Sequence, residues 1–323
     1  MLDVLIIGCG NIAGRFDESV GPGTLPLTHA GAYRMHPGFR LAACVDPDQE
    51  RRDAFGKYWE VDQKASEIED LSSQSGAFDI ISICSPTEVH THHLDAALAL
   101  RPRLVFAEKP LTTNALETGR WIDLFEQAGI ALAVNYTRRW QPDIVSLAAD
   151  LRAGQYGAVR SASGVYNKGI ANSGSHMLDL LRNLLGEISL VAVGSPSWDF
   201  WKDDPTIPAM LQSENGVPIM LNIGDARDYS LFELCIVTEN GTIDMIDGGT
   251  NWIWRTSDDS DRFPGYKSLG KSRASEGNYS KAMLAAVSNI AEHIENGESL
   301  ACDGQTALSA QTICDQIRSA ALT

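Results

Sequence analysis

The hydrophobic pattern of this chain changes character near residue 141. Before that point, short apolar runs alternate with longer stretches of helical period. Leu2–Ile7, Phe39–Val45, 78–84 (FDIISIC), Leu104–Ala107 and 130–134 (IALAV) are rich in Val, Ile, Leu and Ala, as strands covered on both faces are. A polar helix is expected after the second run, and apolar residues recur at helical spacing over 89–100. Segment 112–128 carries a stripe of Ala, Leu, Trp and Phe. This alternation predicts a doubly wound parallel sheet with ligands at the carboxyl ends of its strands.

Beyond Gln141-Pro142 the spacing predicts a helix over 143–153, a strand ending at Val165 and a helix over 174–185. Strand-like runs then dominate, at 188–193, 217–223, 229–237 and 242–246. In YSLFELCIV, Phe232, Leu234 and Ile236 alternate with Leu231, Glu233 and Cys235, as in an antiparallel sheet covered on one face. Helices are expected over 279–295 and 305–320, and 257–278 reads as a long polar loop. The expected fold is α/β: a Rossmann domain over 1–137, then an α+β domain over 138–323 with a largely antiparallel open sheet.

Composition changes this picture little, but charge excludes some partners. The chain has 323 residues, 44% hydrophobic and 21% charged, with a formal charge of −16. That balance argues against a nucleic-acid or anionic-membrane partner, since a phosphate surface would be repelled. No apolar run approaches the length of a membrane span, and no signal peptide is expected ahead of the first strand. The six cysteines (9, 44, 84, 235, 302 and 314) are scattered, which predicts reduced thiols and a cytoplasmic protein.

The first strand runs directly into Gly8-Cys9-Gly10-Asn11-Ile12-Ala13-Gly14, a form of the dinucleotide fingerprint. Gly8 allows the tight turn, Gly10 lets a pyrophosphate approach the backbone, and Ala13 or Gly14 lets the helix pack closely. Gly8, Gly10, Asn11 and Ile12 are therefore expected to hold the cofactor phosphates, aided by the helix N-terminus. The acidic partner lies late, at Asp46, where it would bind the adenosine ribose and disfavour a 2′-phosphate. An insertion at 17–28, rich in Gly and Pro, explains the delay. It is expected to form a lid over cofactor or substrate, with Gly21 and Gly23 giving it mobility; the alternative is a passive surface loop. NAD is the expected cofactor. Arg51 and Arg52 could instead serve NADP, but they lie further along.

Three segments in order carry a family resemblance. Gly8-x-Gly10 opens the first domain, Glu108-Lys109-Pro110 follows the strand Leu104–Ala107, and Asn172-Ser173-Gly174-Ser175-His176-Met177-Leu178-Asp179 opens a helix of the second. Ser85-Pro86 with His90, and Arg138-Arg139-Trp140-Gln141-Pro142 ahead of Gly154-x-x-Gly157, fit the same pattern. The chain resembles the Gfo/Idh/MocA family of sugar and polyol oxidoreductases over nearly its whole length. The resemblance implies NAD(P) chemistry, a C-terminal sheet that forms a homodimer or homotetramer interface, and cofactor contacts from Ser85, Pro86, His90, Glu108 and Lys109. It also places Glu108 at the nicotinamide ribose.

Lys109, at the carboxyl end of a strand, can hold a substrate hydroxyl and assist its deprotonation. His176 has the ring to take that proton as hydride leaves the same carbon. Asn172, four residues earlier, shares its face if the helix begins early; the family usually has Asp there. An amide orients an imidazole by hydrogen bonding only, which shifts weight toward Lys109 or toward a different substrate group. Lys168 could meet an anionic substrate group or be an exposed loop lysine. His90, His92 and His93 lack a familiar ligand spacing, so no metal is expected. Trp198, Trp201, Trp252 and Trp254 read as sheet packing more than as a sugar platform.

The leading reading is therefore an NAD-dependent oxidoreductase acting on a secondary alcohol of a sugar, sugar derivative or polyol. Two alternatives use the same fold: an enzyme that oxidises a sugar transiently to cleave a glycosidic bond, and a non-enzymatic nucleotide-responsive regulator.

Overall fold

The computed structural model describes residues 1–19 and 24–323. Contacts divide the chain into two units, Met1–Trp140 with Ser280–Ser309, and Gln141–Tyr279 with Ala310–Thr323. The breaks fall after Trp140, Tyr279 and Ser309, the last within the helix Gly304–Leu322. Gly21 and Gly23, expected to mobilise the 17–28 insertion, lie outside the described residues. The base of that insertion is pinned: the buried Asp17 carboxylate accepts from the Leu27 and Thr28 amides, each at 3.0 Å, and from the Thr28 hydroxyl.

The first unit is built on six parallel strands: β1 (Leu2–Ile7), β2 (Phe39–Val45), β3 (Gln63–Ala65), β4 (Ile80–Ile83), β5 (Leu104–Ala107) and β6 (Ala131–Val134). Their order is β3-β2-β1-β4-β5-β6. β4 and β5 are buried throughout, which is why the sequence shows them as continuous apolar runs. The helices are α1 (Phe16–Glu18), α2 (His29–Met35), α3 (Gln49–Trp59), α4 (His90–Leu100) and α5 (Ala115–Ala128). Local chemistry sets their ends. Thr28, Asp48 and Asn114 each accept an amide from the first turn, and α5 stops at Gly129 with φ +68°.

In the second unit, α6 (Pro142–Arg152) and α7 (Ser175–Leu185) accompany nine strands: β7 (Val159–Tyr166), β8 (Ile188–Val193), β9 (Ala209–Ser213), β10 (Pro218–Ile223), β11 (Phe232–Thr238), β12 (Gly241–Ile246), β13 (Asn251–Asp259), β14 (Lys267–Leu269) and β15 (Arg273–Glu276). The order is β14-β13-β12-β11-β7-β10-β9-β8, with β15 also on β13. Only β7 and β10 run parallel. The expected polar loop 257–278 thus holds the end of β13 and two short exposed strands. α7 packs its Met177 against β7 at Gly164, where any added methyl group would stand 2.8 Å from the sulfur. Helices α8 (Ala282–Asn296) and α9 (Gly304–Leu322) close the chain, and α8 packs on α2 in the first unit.

Candidate active site

The carboxyl edge of the first sheet gathers the motifs. Gly8 has φ +85°, a conformation that favours glycine. A methyl group there would stand 2.8 Å from the Ser85 nitrogen, so the turns after β1 and β4 touch where the strand order reverses. Gly10 differs, because a methyl group on it would meet no atom within 4 Å. That open face suits a pyrophosphate approaching the main chain. A wide π-type turn, Asn11–Arg15, follows, with Asn11 exposed and Ile12 half-buried. Gly14 is the small residue that packing demands: a methyl group there would overlap Trp59 Nε1 and stand 2.8 Å from Phe55, both on α3.

Asp46 directly follows β2 and is 2% exposed. Its Oδ2 accepts from the Cys9 amide at 2.8 Å and its Oδ1 from the Asp48 amide at 2.9 Å, which ties the glycine turn to the second strand. Oδ1 keeps a second acceptor position. Arg51 approaches Oδ2 at 3.4 Å, and Arg52 donates to the Asp46 carbonyl at 2.5 Å. Both arginines are thus engaged by Asp46.

Glu108 lies in a buried polar network that sequence patterns did not reveal. Its Oε1 accepts from His29 Nε2 at 3.0 Å and from Asn135 Nδ2 at 2.7 Å. His29 Nδ1 stands 3.4 Å from Ser82 Oγ, itself 2.9 Å from the Tyr33 hydroxyl. Asn135 Oδ1 accepts from Thr137 Oγ1 at 2.9 Å. His29, Ser82 and Tyr33 are fully buried. In the neutral ring, an Nε2–H donor leaves Nδ1 as acceptor, so donation runs from Tyr33 through Ser82 and His29 to Glu108. Burial pushes the Glu108 carboxyl up, but the His29 and Asn135 hydrogen bonds and the Lys109 charge outweigh it and hold it below the usual carboxylate range. Glu108 therefore stays ionised. Lys109, next in sequence, is half-buried and joined to Pro110 by a cis peptide bond.

His90 follows the turn after β4. It is fully buried, and its ring nitrogens face the Ser85 carbonyl at 2.9 Å and the Leu111 carbonyl at 3.0 Å. It clamps two loops of the ligand edge. Ser85 is half-buried and Pro86 exposed; Ser85 Oγ lies 2.8 Å from His93 Nδ1. Burial, with the nearby His92 and His90, pushes His93 down to about 4. His92 turns to Glu69 at 3.2 Å, so the three histidines do not converge on one point.

In the second unit, Lys168 has left-handed backbone, φ +68°. A wide π-type turn, Gly169–Gly174, leads into α7. Asn172 sits in that turn, and its side-chain amide donates to the Lys168 carbonyl at 3.2 Å. His176 is half-buried at the start of α7, and Asp179 is 1% exposed. The four tryptophans divide: Trp252 is buried and stacks on Trp254 at 5.6 Å, whereas Trp198 and Trp201 are half-exposed.

Fold and glycine turn together define a dinucleotide-binding unit of the Rossmann class. Residues 2–136 match the model of the GFO_IDH_MocA oxidoreductase family, described as having an NAD-binding Rossmann fold. It is similar to inositol 2-dehydrogenase of Rhizobium meliloti, 24% identical over 239 residues, 69% of this chain and 64% of that one. It is also similar to D-apiose dehydrogenase of Paraburkholderia graminis, 24% identical over 193 residues, 54% of this chain and 51% of that one. The matches therefore span between half and two thirds of those relatives. The fold is similar to that of levoglucosan dehydrogenase solved with NADH and levoglucosan, with a TM-score of 0.82 at 16% identity, covering 99% of this chain and 97% of that one.

Proposed function

We propose that the protein is an NAD-dependent oxidoreductase that interconverts a secondary alcohol and a ketone on a sugar, a sugar derivative (nucleotide-linked ones included) or a polyol. The observation that carries this reading is Glu108, held by His29 and Asn135 directly before Lys109 at the ligand edge of the sheet. The names of the similar proteins, which act on inositol and D-apiose, point to the same substrate class. The open face at Gly10 fits a dinucleotide. Gly8, Gly10, Asn11 and Ile12 would hold its pyrophosphate, Asp46 its adenosine ribose, and Ser85, Pro86 and Glu108 its nicotinamide half, with His90 bracing Ser85. Bound there, NAD supplies a hydride acceptor.

Lys109 holds the substrate hydroxyl and assists its deprotonation, with the Glu108 carboxylate attracting its ammonium group. His176 is the second acid–base residue, and Lys168 and Asn172 contact substrate. The first unit serves the cofactor, and the second serves substrate and self-association. The outer face of the second sheet supports that last role: Met210 and Met220 pair across β9 and β10 and are 41% and 44% exposed. The six free thiols favour a cytoplasmic setting. Among the described residues, no helix is long and apolar enough to cross a membrane.

A screen of polyols, free sugars and nucleotide-linked sugars with NAD+ and NADP+ tests this. Net NADH formation, with NAD+ preferred, is expected. Glycoside cleavage without net NADH would select the redox-assisted lyase, and no turnover with any compound would select the regulator.

A further inference from the structure

Three large aromatic side chains lie almost consecutively on the loop between β8 and β9. Trp198, Phe200 and Trp201 are 52%, 55% and 50% exposed. Exposed apolar side chains are common singly, but a cluster of them marks a binding surface. The loop that carries them is firmly anchored. Ser197 and Thr206 exchange two backbone hydrogen bonds, both 2.8 Å, which close it.

Five consecutive backbone amides, those of residues 168 to 172, donate to this loop. The Lys168 amide reaches Asp199 at 3.0 Å, Gly169 reaches the Thr206 hydroxyl at 2.7 Å, and Ile170 reaches the Pro205 carbonyl at 2.9 Å. Ala171 and Asn172 both reach Asp204, at 2.9 Å. Asp199 is 5% exposed and also accepts from the Ala226 amide at 3.0 Å and the Thr206 hydroxyl at 2.6 Å. The carboxylates of Asp199 and Asp204 are thus each held by two or more donors. Gly169 is required here, because a methyl group on it would overlap Asp204. The aromatic loop is thus hydrogen-bonded along the turn that carries Lys168 and Asn172 into α7.

Lys168 completes the surface. Its left-handed backbone is uncommon for a side-chain-bearing residue, and such strain gathers at functional sites. Its ammonium group lies 5.6 Å from the centroid of the Phe200 ring, within cation–π reach. Phe200 and Trp201 meet edge to face, with ring centroids 4.7 Å apart, and exposed indoles beside a cation complement a ring that has an apolar C–H face and an anionic substituent.

We propose that Trp198, Phe200, Trp201 and Lys168 form the subsite for an anionic sugar ring, the exposed indoles covering its C–H face and Lys168, placed over Phe200, pairing with its carboxylate or phosphate. This rests on the oxidoreductase reading and narrows its substrate class. Saturation-transfer NMR on the full chain, with D-glucuronate, D-glucose 6-phosphate and D-glucose as probes, tests it. NADH affinity is measured in parallel by fluorescence. The anionic probes should bind more tightly than D-glucose, and the tighter of the two identifies carboxylate or phosphate as the natural group. Trp198→Ala and Trp201→Ala should each weaken binding by about ten-fold, the scale of a lost aromatic contact. Lys168→Gln should abolish the preference for anionic probes. NADH affinity should stay within about two-fold in all three, as for independent sites. Unchanged probe affinity in both tryptophan variants overturns the subsite, as does a change of oligomeric state alone. Wild-type protein that binds a probe but not NADH keeps the subsite and sinks the oxidoreductase reading; protein that binds NADH but no probe does the reverse.

Discussion

An ionised carboxylate below the surface needs donors, and Glu108 takes one from His29 and one from Asn135. Removing the imidazole in His29→Ala leaves the carboxylate with one donor fewer, at a cost of about 1–3 kcal/mol in thermal or denaturant unfolding. The sign of the pH effect follows from the lowered Glu108 pKa. A carboxyl depressed in the folded state contributes stability above its unfolded value, about 4.3, and loses it as pH falls through the folded value. Wild type should therefore lose melting temperature across that acid range more steeply than Glu108→Gln. Beside it, Lys109→Ala should reduce turnover at least about 100-fold, the lower range for a lost acid–base group. Asp46→Ala should weaken NAD binding by about 1–2 kcal/mol and narrow discrimination against NADP. Titration with both cofactors checks this, and a wild-type preference for NADP would assign the pocket to Arg51 and Arg52.

The glycine turn separates function from packing within a single element. Gly10→Ala adds a methyl group into open space, so melting temperature should hold while NAD affinity falls. Gly14→Ala drives a methyl group into Trp59 and Phe55 and should cost about 1–3 kcal/mol of stability, the usual penalty of overpacking. Calorimetry on the pair distinguishes the two roles. β4 and β5 are legible in the sequence because burial throughout leaves continuous apolar runs, and β1, β2 and β6 because each ends in three or more buried apolar residues. β14 and β15 are exposed throughout, so no face of either leaves an apolar mark, and their segment reads as a loop. The Gly8, Asp46 and Glu108-Lys109 positions are legible because strand ends announce them. The His29 network is not: its members come from α2, β4 and the turns after β5 and β6, and His29 meets Glu108 across 79 positions. The aromatic loop is hidden for a similar reason, since nothing local distinguishes the exposed Trp198 and Trp201 from the buried Trp252.

For the whole chain, the pattern change near residue 141 marks where the first unit hands over to the second, but the return of Ser280–Ser309 to the first unit leaves no local signal. That return is held by tertiary contacts, with Asn135 reaching Met283 and Trp140 Nε1 donating to Asn289 at 2.9 Å. The proposed self-association through the second sheet predicts that Met220→Glu, which places a charge opposite Met210, lowers the molar mass in light scattering. An unchanged mass would move the interface elsewhere. The proposed reaction is hydride transfer at the Glu108-Lys109 edge. It is tested most directly by offering carbinol-deuterated polyols and sugars, myo-inositol among them, with NAD+ and following the label by NMR. Deuterium should appear at the nicotinamide C4 position of NADH, and its rate of appearance should fall at least about 100-fold in Lys109→Ala. Absence of label from every substrate, or equal transfer by wild type and Lys109→Ala, would contradict the account.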